Sequence, residues 1–358
     1  MKLDATDIRI MRLLGRNPRN IAALAKELGL PAETIRYRVK RLVGSNFVKL
    51  LGVPNYPKLG LTLLWAFLEA KTSRTLEDLL DRCQYVNYMT RCYGFVNGYL
   101  LNFLAPRGKE DLVLEFFEGL RGEGLIKDYF LVPSLPVEYP LPDFDKYYDF
   151  EEGRWEYNWK GFLREALTHV EPSSVTVPEQ TLLDWVDIMI IQKLQVEATV
   201  SLTELAKKLG LSIASVRYHF LGHVMGKGLV SFAVRYLPYA EIPLSLFILK
   251  LVDSRYVGNL LRSLRGKPFT MGVAVSPEGK ALVLLFQAPF TVKLGFYQSL
   301  KHLMDAEIVE NYFEVALDNS FYRKYSIPDP KYYKCGEWVF ERIYVPSRAP
   351  RLRSEEAI

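Results

Sequence analysis

The chain has 358 residues, 49% of them hydrophobic and 24% charged, with a formal net charge of +5. Those values predict two to three ordinary globular domains, each with its own core. They exclude a disulfide framework or a Cys-x-x-Cys zinc site, because Cys83, Cys92 and Cys335 are few and scattered. The first residues, MKLDATDIRIMRLLGRN, mix acids and arginines where a signal peptide is apolar, and runs such as LGLTLLWAFLEA are too short to span a membrane. The expectation is a soluble chain in a reducing, cytoplasmic compartment with no membrane association. The mild excess of positive charge points to a polyanion only if it is concentrated on one surface.

In chain order, the first predicted helix carries an apolar stripe of Ile10, Leu13 and Leu14. A second helix, LAKELGL, ends at Gly29, which suits a left-handed C-terminus. A third opens at Pro31, a residue favoured in a first helical turn. Two short helices joined by a glycine turn predict a helix-turn-helix, whose second helix enters the DNA major groove. On that helix Ile35, Val39 and Leu42 share the core face. Glu33, Tyr37, Lys40 and Arg41 point away, flanked by Thr34 and Arg36, with Arg38 near the core edge. This basic face suits phosphates and guanine edges. The reading assigns recognition chiefly to Arg36, Tyr37, Lys40 and Arg41. Thr34 flanks them, and Arg38 meets phosphate together with Lys49 on a following strand pair, the wing.

Further along, a strand and a helix precede two strands near 86–94 and 98–105, a helix at 108–121 and the strand LIKDYFLVP. A bridge rich in proline and aromatics follows, with a helix near WKGFLREALTHV. Then the pattern returns. LAKKLGLSIASVRYHFLGH at 205–223 parallels LAKELGLPAETIRYRVKRL at 24–42, and Ile190, Ile191 and Leu194 repeat the first stripe. Strands at 269–276 and 279–287, a helix at 290–304 and the strand EIVENYFEVAL complete it. The aromatic segments 139–157 and 325–342 also correspond. The second copy keeps Val216 and Phe220 for the core and Arg217 and Tyr218 outside. Lys40 and Arg41 become Leu221 and Gly222, and Leu42 becomes His223. The first copy is therefore expected to be the main DNA reader.

These features resemble the Lrp/AsnC family of prokaryotic transcription regulators, of a kind common in archaea. The resemblance rests on LDATDIRIMRLLGRNPR, on IAALAKELGLPAETIRYRVKRL, and on Leu3, Asp4 and Asp7 with Leu183, Asp184 and Asp187 as their counterparts. It implies an α+β chain with two winged helix-turn-helix domains (1–57 and 181–240, the latter degenerate) and two βαββαβ ferredoxin-like domains (58–135 and 241–320). The bridge is 136–180, and 321–358 is an aromatic segment and frayed tail. Family members carry one such module and pair through their ferredoxin-like domains. Here the expectation is a tandem duplication that forms a pseudo-two-fold dimer within one chain. The family's effector motif, Gly-x-x-Asp, has Asn97 and Val275 at the acidic position, so an amino-acid effector is not expected. Double-stranded DNA on the nucleoid is the expected partner, with transcription machinery open as a second.

Enzymatic motifs are absent: no Gly-rich phosphate loop and no nucleophile elbow. Of His169, His219, His223 and His302, only His219 and His223 have zinc-like spacing, and no third ligand is apparent. The expectation is a packed pair, with no metal and no cofactor. Siroheme decarboxylases are similar in architecture, but Arg91 lies in a strand region without an accompanying histidine. A partner-binding or architectural protein is the other alternative, through the aromatic segments. The expectation there is that each segment wraps its own domain.

Overall fold

A computed structural model describes residues 3–45, 47–168, 175–239 and 241–340. His169 and the expected tail lie outside these residues.

The chain opens with α1 (Ala5–Leu14), α2 (Ile21–Leu28) and α3 (Ala32–Gly44). Local chemistry fixes each end. Asp4 and Asp7 form a reciprocal capping box at the start of α1. The Asn20 side chain accepts from the Ala23 amide at 2.9 Å to start α2. Gly29 ends α2 at φ +66°, so that α3 can begin three residues later. Ile10, Met11, Leu14, Ile35 and Leu42 are buried between the three helices. Strand β1 (Val48–Pro54) follows.

A βαββαβ unit comes next: β2 (Leu61–Glu69), α4 (Arg74–Arg82), β3 (Val86–Gly94), β4 (Gly98–Pro106), α5 (Glu110–Gly122) and β5 (Asp128–Ser134). The bridge holds α6 (Phe144–Tyr147), the two-residue strands β6 (Tyr148–Asp149) and β7 (Arg154–Trp155), and α7 (Trp159–Leu167). A second helical unit contains α8 (Trp185–Val196), α9 (Leu202–Leu209) and α10 (Ile213–Tyr218). It continues as a π-helical turn over His219–Met225 and ends in β8 (Val230–Tyr236). After it come β9 (Ser245–Leu251), α11 (Val257–Leu264), β10 (Thr270–Val275), β11 (Ala281–Phe286), α12 (Phe290–Asp305) and β12 (Val309–Lys324). The short strands β13 (Tyr333–Lys334) and β14 (Glu337–Trp338) close the described chain.

Eight strands form one antiparallel sheet in the order β10-β11-β9-β12-β3-β4-β2-β5. Each half of that order reads second, third, first, fourth strand of its βαββαβ segment. The halves join where β12 pairs with β3. This explains why β12 runs past the expected strand: its first part pairs with β9 and its last part with β3. The outer ends also meet. Beyond β5, the Leu135 amide donates to the Val275 carbonyl at 2.8 Å, and Glu138 and Val273 exchange backbone bonds of 2.8 and 2.9 Å. Phe313 of β12 packs against Phe67 and Phe130 of the other half, with ring centroids 5.6 and 4.9 Å apart.

The expected wing hairpin is not what forms. β1 pairs with β8, antiparallel, over seven residue pairs from Val48–Tyr236 to Pro54–Val230. Each helical unit contributes one strand to this shared ribbon. The aromatic segments pack inward, but they do not each wrap their own domain: the first reaches Lys267 and Tyr236 of the second half, and the second packs on Tyr85 and Asn87 of the first. Phe144 and Tyr148 are buried with Tyr236 and Trp155 around them, and the buried Trp338 indole donates to the Leu59 carbonyl at 2.6 Å.

Candidate nucleic-acid interface

Helix α3 is held from below by α1. The carboxylate of Asp7, only 1% exposed, receives Arg38 at 2.8 Å and Arg41 at 2.5 Å. Arg38 also reaches Asp4 at 2.7 Å. Burial alone would raise the Asp4 carboxyl. The Arg38 hydrogen bond, the Asp7 amide and the charges of Arg38 and Arg41 outweigh it and hold the group below its ordinary range. The same bonds raise the Arg38 guanidinium. Two of the residues expected to contact DNA are thus engaged inward, as a clamp between α1 and α3.

The outward residues are Arg36, Tyr37 and Lys40, all exposed, with Thr34 half-buried beside them. Tyr37 is 67% exposed, well above what a packed tyrosine shows. Arg36 is ion-paired with Glu33 one turn earlier. This pair is fully on the surface, so a phosphate can displace the glutamate at little cost. A tyrosine and two cations on one exposed helical face can hydrogen-bond phosphates and base edges.

Lys49 lies elsewhere. It is half-buried and sits directly opposite Arg235 in the β1–β8 ribbon. Burial, then the Arg235 charge, push its ammonium below the ordinary lysine range. Lys324 completes the group; it feels both charges and lines an 80 Å³ pocket with Tyr56, Asn87, Tyr139 and Gln195. Among the described residues none of the three cations has an ion-pair partner, and the buried Arg235 Nε has no hydrogen-bond acceptor. Like charges directly opposite across a strand pair destabilise it by a few tenths of a kcal/mol or more. Lys49→Met is therefore expected to raise stability by about 0.5 kcal/mol and to leave DNA affinity unchanged. Thermal unfolding together with a binding titration checks both parts.

In the second unit Arg217 and Tyr218 are exposed, Tyr218 at 64%. The residues that follow correct the reading that His223 replaces core-facing Leu42. The π-helical turn carries i to i+5 backbone bonds, Gly226 to Leu221 at 2.9 Å and Leu229 to Val224 at 2.8 Å. It absorbs one extra residue. Val224, fully buried, fills the slot of Leu42, and His223 turns instead toward Asp187. His219 also meets Asp187, at 3.0 Å. The two histidines stand where Arg38 and Arg41 stand on Asp7. Sequence reading missed this because it aligned the copies without a gap. The signal was available in the paired Leu-Asp-x-x-Asp motifs: Asp187, like Asp7, required something to neutralise it.

The residues doubted as an effector site have structural occupations. Asn97 closes the β3–β4 turn, accepting from the Gly94 amide at 3.3 Å and donating to its carbonyl at 3.2 Å. Val275 ends β10. Arg91 is bound by Glu77 at 2.9 Å and lies 4.0 Å over the Phe321 ring. The described residues contain no helix long and apolar enough to cross a membrane.

Comparison with known proteins matches residues 3–43 to the AsnC-type helix-turn-helix domain. Uncharacterized HTH-type transcriptional regulators of Pyrococcus furiosus and Pyrococcus horikoshii are each 46% identical over 61 residues, 16% of this chain. The match spans only 41% of the length of each relative. Among solved structures, the siroheme decarboxylase NirDL is similar over 91% of this chain and 95% of its own, at 13% identity and a TM-score of 0.49. LrpC of Bacillus subtilis is similar over 37% of this chain and 93% of its own, at 16% identity and a TM-score of 0.29. Residues 3–43 are an AsnC-type helix-turn-helix domain.

Proposed function

We propose that the protein is a sequence-specific DNA-binding transcription regulator, cytoplasmic and working on the nucleoid, and that α3 is its main reading helix. The observation that carries this is the division of labour on α3. Arg38 and Arg41 are spent on Asp7, while Arg36, Tyr37 and Lys40 stay exposed on the outer face of an AsnC-type domain, Arg36 paired only with the surface residue Glu33. The clamp makes α3 a rigid platform, which favours precise contacts over adaptable ones. Arg217 and Tyr218 form a smaller second surface without the equivalent of Lys40, so the second unit contributes less.

We further infer that the chain is a tandem duplication arranged as a pseudo-dimer. Two junctions of matching kind support this. The fourth strand of each βαββαβ segment, or the chain just past it, pairs with the second strand of the other. The β1–β8 ribbon has the same reciprocal character. Domain limits near 57, 135, 180, 240 and 320 follow from that reading. A monomeric mass in light scattering is the expected result; a stable dimer of chains would reassign the pairing. We read the protein as a binder and not an enzyme. Arg91, the residue a tetrapyrrole-processing reading needs, is neutralised by Glu77 and stacked on Phe321.

The test is selection from randomised duplex DNA, followed by titration of variants on the enriched site. Arg36→Ala with Lys40→Ala is expected to weaken binding by about 2–4 kcal/mol and to lower the salt slope by about two units. The fold should be intact, because both side chains are exposed. Undiminished affinity in that double variant rules out α3 as the reader.

A further inference from the structure

The second helical unit contains a group of four side chains with no role in the DNA-reading surface. Asp184 and Asp187 cap the start of α8, and His219 and His223 come from the π-helical turn. Their four potential ligand atoms all lie within 4.8 Å of one another. His219 Nδ1 is 3.0 Å from Asp187 Oδ1 and 3.2 Å from Asp184 Oδ2. His223 Nδ1 is 3.2 Å from Asp187 Oδ2 and 4.0 Å from Asp184 Oδ2. We propose that these four residues form a binding site for a divalent transition-metal ion of the zinc class.

Three independent observations support the assignment. The first is charge. Asp187, like Asp7, is 1% exposed. Asp7 is neutralised by two guanidiniums, which are always charged. At the same place the second unit offers two imidazoles, which carry no obligatory charge. A buried carboxylate needs a positive partner, and an ion held between the imidazoles and the carboxylates supplies it.

The second is geometry. Bonds of about 2.0–2.1 Å in a tetrahedral zinc site place neighbouring ligand atoms about 3.3 Å apart. His219 Nδ1 is within a few tenths of an ångström of that edge from both Asp187 Oδ1 and Asp184 Oδ2, and His223 Nδ1 is equally close to the other Asp187 oxygen, Oδ2. Two imidazole nitrogens with two carboxylate oxygens are a donor set that zinc accepts. The site is neither sealed nor open: the histidine side chains are 15% and 24% exposed and Asp184 is 42% exposed, which leaves a route for the ion.

The third is the backbone. π-helical turns inside helices are uncommon and occur frequently at functional sites. In α3 an ordinary helix presents Arg38 and Arg41, three residues apart, to Asp7. In the second unit the widened turn presents His219 and His223, four apart, to Asp187, while Val224 keeps the core filled. The turn also has a local requirement: a Cβ on Gly226 would lie 2.5 Å from the Gly222 carbonyl oxygen. The ion would staple the start of α8 to the helix bearing Arg217 and Tyr218, replacing the arginine clamp of the first unit by a ligand-dependent one.

The experiment uses the untagged full chain, stripped with a chelator and titrated with zinc chloride by calorimetry, with cobalt(II) absorption as a report of tetrahedral coordination. One ion per chain is expected, with a rise in unfolding temperature on binding. Two double variants serve as controls. His219→Gln with His223→Gln keeps an amide donor for Asp187 but removes the imidazole ligands. His219→Arg with His223→Arg copies the clamp of the first unit, so it should fold without metal. Both are expected to lose zinc affinity by at least about 100-fold, and the arginine variant should keep its unfolding temperature when zinc is removed. Failure of the wild type to take up zinc at neutral pH overturns the proposal. So does uptake that persists in the arginine variant; the four groups would then be a hydrogen-bonded counterpart of the arginine clamp.

Discussion

Asp7→Ala is expected to destabilise the N-terminal helical unit by about 2–4 kcal/mol and to abolish DNA binding by α3. Removing one partner of a buried ion pair costs about 3–5 kcal/mol, because the remaining charge is left uncompensated. Here the two arginines are partly exposed, at 23% and 36%, and water recovers some of that loss. Asp7 also accepts from the Asp4 amide in the capping box, and loss of such a cap adds about 1 kcal/mol. Arg38 and Arg41, set free, would point from α3 without orientation. Asp7→Asn should fall between wild type and alanine, keeping a hydrogen-bond acceptor while losing the charge. Urea unfolding followed by circular dichroism measures the first effect and a titration with the selected DNA the second. A midpoint shift worth less than about 0.5 kcal/mol, the size of an ordinary surface substitution, would show that the clamp is decorative.

The other large effect is expected at a glycine. Gly52 lies in β1 opposite Phe232, where the ribbon passes over α8. A Cβ there would sit 2.4 Å from the Leu194 carbonyl oxygen and 2.8 Å from its carbonyl carbon. Both are backbone atoms of a helix whose Ile190, Ile191 and Leu194 side chains are fully buried, so nothing nearby can rotate away. Gly52→Ala must push the ribbon off α8. Overpacking of this kind costs about 1–3 kcal/mol and occasionally more; the upper end applies because the contact is backbone on backbone. Gly44→Ala is the control. It lies in the last turn of α3 with nothing within 4 Å of the added carbon, so it should be neutral or slightly stabilising. Similar unfolding temperatures for the two variants would contradict the close approach.

The same residues show what can be read from sequence. The three N-terminal helices were legible because their signals are local: the apolar stripe of Ile10 and Leu14, the left-handed Gly29, and the core spacing of Ile35 and Leu42. The βαββαβ segments were legible from apolar runs bounded by turn residues, repeated in the same order in both halves. The partner of β1 was not, because a period of two identifies a strand without saying what lies beside it. The roles of Arg38 and Arg41 were obscured for a related reason. A basic helical face looks the same whether phosphates or buried carboxylates face it, and Asp7 lies 31 and 34 positions away. The π-helical turn was hidden by a one-residue insertion. An ungapped comparison then assigned His223 to the core and concealed its partnership with His219.

The ribbon of β1 and β8 also governs how the chain comes to be made. Its strands are 178 positions apart at the Val53–Ser231 contact. At roughly 5–20 residues per second, a ribosome takes on the order of ten seconds or more to deliver the second strand after the first. During that interval the nascent N-terminal half lacks the second-half residues that complete its hydrophobic cores, and it has three open strand edges: β1, the outer side of β3, and the stretch past β5. Unpaired edges are templates for association with other chains. Pairing so distant in sequence also slows folding, since loop closure precedes any reward. The protein therefore has a vulnerable period in synthesis, and rapid overexpression, which crowds many half-made chains together, should favour exchange of ribbon strands between neighbours over closure within one chain.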